Sequence, residues 1–383
     1  TDNSRLNTST FHPVAEARTV NVWLQQAGYD TMLAGKYMNG YHANGPNRWA
    51  RYVPPGWSSF YGFQTVDFFG TAVNVNGVTK VYPKDNYQTD IIANISLDWM
   101  RQTHDKTKPF FMFITPHAPH APYTPAPRHK GTLAGLTQPQ DPAFNLPDAL
   151  QRILPGNLAH LPLVNASQMD SIYESRAEAL LAIDEMIGHL LDEVTALGVE
   201  NNTYFFFTCD SKQQQPVLTP LALADREPSK LCIRCADGYH LGQHRMPPGK
   251  REIYQTDINV PLIVSGPGIA PHSTVDGMSA NYDFAPTWAE LAGAKPSPTA
   301  PPIDGKSLVP LMRGETKTIR TYTLQEGYQS CEAGHGEGRS CAVKAPPPSL
   351  AVAKYVDDET EVTGPEVGAN NFRDYSGLRM KHH

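Results

Sequence analysis

Two stretches of the chain concentrate side chains able to bind an anion and move a proton. The longer runs from Asp237 to Ile269 and sets His240, His244, Arg245, Lys250 and Arg251 in a loop punctuated by Gly and Pro, before the apolar run Val260-Pro-Leu-Ile-Val264. The expected form is a reactive loop feeding a buried strand. The second stretch is Pro116-His117-Ala118-Pro119-His120-Ala121-Pro122-Tyr123. Proline fixes φ and removes a donor, so neither helix nor ladder continues there, and both imidazoles stand on a stiff loop. Imidazole changes charge near neutral pH, which suits proton transfer; a surface loop with incidental histidines is the plain alternative. Lys36, in Gly35-Lys36-Tyr37-Met38-Asn39, adds a cation, although an isolated lysine is commonly only solvated.

The elements that must carry these groups follow from apolar periodicity. Residues 14–28 place Val20, Trp23, Leu24 and Ala27 at helical spacing with Gly28 as the stop, and a strand at Thr31–Ala34 then delivers Lys36 at its carboxyl end. In open α/β sheets that end is where ligands bind. Residues 42–85 read as a long irregular excursion with short strands at 71–75 and 78–81, of the kind that walls a pocket. Asp90–Arg101 is helical in period, and the unbroken apolar run 109–115 argues for a central strand covered on both faces, with His117 and His120 at its exit. After a Pro-rich loop over 124–163, Ser167–Leu197 is the longest helix, ended by Gly198, with Asp184 and Glu185 expected to be solvated or salt-bridged. A strand at Thr203–Thr208 leads to Cys209-Asp210. This alternation predicts an α/β fold with a mostly parallel sheet between helices. Residues 211–236 show neither periodicity nor turn logic.

A chain of 383 residues with 40% hydrophobic content supports one large core and a smaller subdomain. The net charge of -6 is dispersed, which gives no sign of a nucleic-acid groove or a polybasic membrane surface. Neither a membrane span nor a signal peptide is visible, and the opening TDNSRLNTST suggests a fragment. Sequons at Asn7, Asn94, Asn165 and Asn201 suit a glycosylated secreted or lysosomal/vacuolar protein, or arise by chance. Five cysteines are too sparse for a disulfide scaffold; Cys331 and Cys341 could close a short loop. The spacing Cys232-x2-Cys235-x4-His240-x3-His244 is that of a zinc knuckle, but no flanking knuckle pattern supports it.

Taken together, WLQQAGYDTMLAGKYMNGY (23–41), PFFMFITPHAPHAPYTPAP (109–127), NNTYFFFT (201–208), residues 238–269, DFAPTWAELAG (283–293) and IDGKSLVPLMRG (303–314) resemble the sulfatases of the alkaline-phosphatase-like superfamily, nearest the arylsulfatase and N-acetylglucosamine-6-sulfatase branch. The resemblance implies hydrolysis of a sulfate monoester, on a small aryl compound or a glycan, by a formylglycine nucleophile with one calcium ion beside it. It assigns sulfate contact to Lys36, proton and substrate contacts to His120 in preference to His117, a place near sulfate and leaving group to Lys250, and the substrate end of the pocket to His240. Met38 departs from a histidine common in the family. The family's T-S-D-N-G-Y-H corresponds here to Thr208-Cys209-Asp210 and, after the anomalous segment, Asp237-Gly238-Tyr239-His240. Asp210 is thus the expected metal aspartate and Asp237 stands where the metal asparagine would be; with Ser211-Lys212 encoded AGT AAG and Ala236-Asp237 encoded GCA GAT, an intron from within codon 211 to within codon 237 would join A to AT and restore that asparagine directly after Asp210.

None of the five cysteines stands in the C-x-P-S-R motif that yields formylglycine. The expectation is therefore a sulfatase-like domain over 1–315 lacking its first strand and nucleophile segment, inactive by itself, then a partial C-terminal subdomain or tail over 316–383. The rivals are a pseudoenzyme that binds sulfated glycans through Lys36, His120 and Lys250, and a phosphodiesterase or phosphatase of the same superfamily.

Overall fold

The computed structural model describes residues 15–38, 41, 51–65, 67–154, 156–209, 238–250, 252, 254–298, 300, 302–327, 362–363 and 375–380. The helix expected over 14–28 forms in two pieces, a 3-10 turn at Glu16–Arg18 and α1 (Val20–Gln26), divided at Thr19, whose backbone is extended. Gly28, at φ 92, turns the chain into β1 (Asp30–Gly35), buried along its whole length. Glycine takes that left-handed conformation without a Cβ clash.

Strands β2 (Ser59–Phe63), β3 (Ala72–Val75), β4 (Val78–Val81) and β5 (Phe110–Thr115) join β1 in the order β4-β3-β2-β1-β5. The inner trio β2-β1-β5 is parallel, and β3 and β4 extend it antiparallel. Thr31 pairs with Phe111 and Gly35 with Thr115, so β1 and β5 end level with each other. The expectation of β5 as a central strand needs correction. Among the described residues it is an edge strand, partly buried, with Phe113 39% exposed.

Strands β6 (Phe205–Thr208) and β7 (Leu262–Ser265) form a separate antiparallel ribbon. Side chains alternate along β5 and β6, so each strand has two faces to cover. Phe110, Met112 and Ile114 of β5 and Phe205 and Phe207 of β6 pack against one core, which holds Ile91 and Ile92 of α2 (Gln88–Asp98) and Leu180, Ile183 and Met186 of α3 (Ala166–Ala196). The opposite faces, Phe111 and Phe113 of β5 and Phe206 of β6, meet Trp288 of α4 (Phe284–Ala292). Trp23 of α1 packs with Ala289 on that same side. Helices thus cover both faces, and a cavity of about 1460 Å³ runs between β5 and β6, lined along the length of both strands.

Asn165 caps α3 by accepting from the Gln168 amide at 3.2 Å, and Gly198, at φ 68, follows its end. The carboxylate of Glu185 pairs with Arg128 as expected of a surface acid. Beyond residue 315, β8 (Tyr322–Gly327), β9 (Val362–Thr363) and β10 (Tyr375–Met380) form a small antiparallel sheet ordered β8-β10-β9. No helix among the described residues is long and apolar enough to cross a membrane. Asn94, Asn165 and Asn201 are exposed.

Candidate active site

Lys36 leaves β1 under tight backbone control. Its amide donates to the Thr115 carbonyl at 2.9 Å, and the Thr115 hydroxyl returns a bond to the Lys36 carbonyl at 2.7 Å. A Cβ on Gly35 would lie 2.2 Å from the Thr115 oxygen, and φ is 124 there, so only glycine lets β1 and β5 close at this point. Behind Lys36, the buried Glu16 carboxylate accepts from Tyr37 Oη at 2.5 Å and from Tyr52 Oη. Burial first, then this carboxylate, pushes both phenols well above the usual tyrosine range.

The exit of β5 presents His117 and His120 with ring centroids 4.7 Å apart. His117 is buried against Phe68, and its amide donates to Gln88 Oε1 at 3.3 Å. Burial, then the charges of His120, Lys36 and Lys250, lower its pKa to about 4, so it is neutral at physiological pH. His120 is half-buried; its Nδ1 lies 3.1 Å from the Ala121 carbonyl, which can only accept and so fixes a proton on that nitrogen.

The loop that opens at Gly238 is held from several sides. His240 pairs through its backbone with Gly249, N to O at 2.9 Å and back at 3.2 Å, which sets Lys250 immediately beyond the bridge. His240 Nδ1 donates to Asp257, 2.8 and 3.0 Å from its two oxygens, and Asp257 is buried. Gln243 Nε2 donates to Asp141 at 2.9 Å, and Arg245 reaches the Leu146 carbonyl at 2.8 Å and Asp148 at 2.6 Å. The Pro-rich segment 124–163 is thereby tied to the reactive loop. His244 and Arg245 have positive φ, and the His244 ring sits 4.1 Å from that of Tyr254, with its pKa lowered chiefly by burial.

Lys36, Met38, His117, His120 and Lys250 all line the carboxyl end of the cavity between β5 and β6. His240 is not among the residues lining it, and its ring is held by Asp257 through Nδ1. Cys232 and Cys235, the other half of the zinc-knuckle spacing, lie outside the described residues. So do Asp210, Asp237, Arg251, Cys331, Cys341 and the anomalous segment 211–236. Sequence reasoning missed Asp257, Glu16 and Arg176. Arg176 had a signal: it falls in the apolar stripe of α3 between Ile172 and Ala179.

Calcium takes six to eight oxygen ligands. The described lining of this site offers lysines and imidazoles instead, and no group of three or more His, Cys, Asp or Glu able to hold a metal occurs among the described residues. The two carboxylates expected to hold calcium, Asp210 and Asp237, are outside them.

Lys36, His117 and His120 thus stand at the level ends of the parallel strands β1 and β5, and Lys250 joins them from the loop that opens at Gly238. The sulfatase sequence profile matches residues 4–294, and the chain belongs to the sulfatase family. It is 32% identical to human N-acetylglucosamine-6-sulfatase over 342 residues, 87% of this chain and 55% of that protein. It is 26% identical to the extracellular sulfatase SULF-1 homolog of Drosophila melanogaster, over 84% of this chain and 26% of that protein. The chain thus spans about half the length of the first of these and a quarter of the second. The solved structure of BT4656 in complex with its substrate D-glucosamine-2-N,6-O-disulfate superposes with a TM-score of 0.58, covering 85% of this chain and 72% of that one at 23% identity. At that identity the likeness establishes the alkaline-phosphatase-like fold.

Proposed function

We propose that the chain grips the sulfate monoester of a sugar, a 6-O-sulfated glucosamine, at the carboxyl end of the β5–β6 cavity. The observation that carries this reading is the convergence of Lys36, Lys250, His117 and His120 on one opening. A sulfate ester is anionic, so cationic donors must neutralise it before a nucleophile approaches, and a departing alkoxide needs a proton. Lys36 and Lys250 supply the charge. His120, with Nδ1 held on the Ala121 carbonyl, offers Nε2–H to the ester oxygen in its cationic form, while His117, held neutral, orients its neighbour. The human relative and the BT4656 ligand motivate the choice of sugar.

In the family, formylglycine supplies the nucleophile and calcium offsets the charge of the sulfate. No cysteine of this sequence stands in C-x-P-S-R, so we propose that these 383 residues bind the ester without turning it over. Among the described residues β5 and β6 each pair with a strand on one side only, which supports a second part of the reading, that the cavity seats one more extended strand, as the resemblance implies for the family's first strand. We propose secretion-pathway glycosylation at the exposed Asn94, Asn165 and Asn201 on the same footing.

Calorimetric titration of the full chain with D-glucosamine 6-sulfate, against D-glucosamine as control, tests the binding reading. Saturable binding of the sulfated sugar alone, weakened but still measurable in Lys36→Met and in Lys250→Met, is expected. Equal affinity for both sugars would overturn it, and release of sulfate would overturn the claim that the chain lacks turnover.

A further inference from the structure

The long helix α3 carries Arg176 on its apolar side, and the residue is 1% exposed. A buried charge is strongly destabilising unless its surroundings compensate it. Here Cζ lies 4.2 Å from the centroid of the Tyr239 ring and 5.7 Å from that of Tyr123, and Nη1 donates to the Pro119 carbonyl at 3.2 Å. The two phenol oxygens are 2.6 Å apart, and the rings meet edge to face. Pro119 and Tyr123 belong to the loop that carries His117 and His120. Tyr239 directly precedes His240, in the loop that ends on Lys250. Tyr123 has φ 61, a conformation that non-glycine residues seldom keep unless their surroundings hold it.

We propose that Arg176 is a positioning residue that sets the separation of these two loops, and with it the spacing of the groups that face the sulfate ester; this deepens the function proposed above and rests on it. Arg176 does not line the cavity, so it acts through Tyr123, Pro119 and Tyr239. A flat guanidinium can lie against ring faces while donating in its own plane, and a lysine ammonium cannot reproduce both contacts.

The full chain and its Arg176→Lys variant are compared by hydrogen exchange and by titration with D-glucosamine 6-sulfate. The variant is expected to exchange about tenfold faster in both 117–123 and 238–250, with α2 unchanged, and to bind the sugar about tenfold more weakly. In a Lys250→Met background the further loss of affinity from Arg176→Lys is expected to shrink, because the spacing it sets no longer matters. Faster exchange in one loop only or in neither, or strictly additive losses of affinity, overturns the proposal. If the unaltered chain binds no sulfated sugar, the proposed function falls and the exchange data alone decide the role of Arg176. Should Arg176→Lys not fold, Tyr239→Leu, which removes one ring face and leaves α3 intact, is expected to loosen the same two loops.

Discussion

His240 and Asp257 form a buried pair, with Nδ1 2.8 Å from one carboxylate oxygen and 3.0 Å from the other, and the same carboxylate accepts the Glu252 amide at 2.9 Å. One acid therefore fixes the imidazole and the backbone on both sides of Lys250. Replacing it with Asp257→Ala leaves a buried donor on His240 without its acceptor and takes away the acceptor of the half-buried Glu252 amide. The expected cost is about 3 kcal/mol, read as a fall in the urea midpoint. A loss within about 0.5 kcal/mol of that of a surface substitution would show that the pair does not hold the loop.

The depressed pKa of His117 makes stability depend on pH in a definite direction. With the folded value at about 4 and the ordinary value at 6.5, the unfolded chain binds more protons than the folded chain between those limits. Stability from this group is fully present above pH 6.5 and is lost as the pH falls towards 4, by about 3 kcal/mol in all. His244, also lowered, adds to the same slope. Denaturation curves across that window are expected to show a shallower fall for His117→Gln than for the unaltered chain; parallel slopes would contradict the assignment.

Gly35 ties the strand pairing to the position of Lys36. A methyl group there would meet the Thr115 carbonyl at 2.2 Å on a backbone already at φ 124. Gly35→Ala is expected to cost about 3 kcal/mol by overpacking and strain, and to weaken binding of the sulfated sugar together with it. Thermal melting and calorimetry on one preparation check both parts. A variant that loses stability but keeps its affinity would separate Lys36 from the register of β1 and β5.

The Glu16 cluster makes a spectroscopic prediction. Burial, and after it the Glu16 carboxylate, raises the Tyr37 and Tyr52 phenols. Glu16→Gln removes the charge but not the burial, so an alkaline titration of phenolate absorbance is expected to show two tyrosines ionising earlier, with about 1–3 kcal/mol of stability lost. Unchanged titration would mean that the carboxylate does not face those rings in solution.

Much of this architecture was legible from local pattern, and the reasons differ by element. The run 109–115 is apolar enough to announce β5, but which strands flank it depends on pairings between distant segments, so its edge position was not readable. Strand β2 was missed because Ser59–Phe63 lies within a stretch dominated by Gly and aromatic residues, where alternation is hard to tell from a loop. Lys36, His120 and Lys250 were accessible through strand-end logic and the family resemblance. His240 was accessible too, but its orientation depends on Asp257, seventeen residues away on a short helical turn whose acid looks like any other in sequence. Arg176 could be picked out by its place in the apolar stripe of a long helix, but its partners, Tyr123 and Tyr239, come from two distant loops that no local pattern pairs with it.

The exposed flank of β5 has a practical consequence for handling the protein. An edge strand among the described residues, with an apolar side chain such as Phe113 in reach of solvent, is a template for other chains. Preparations of this chain should therefore self-associate as concentration rises, and an extended peptide that occupies the edge should keep them monomeric and raise their melting temperature in proportion to the logarithm of its concentration.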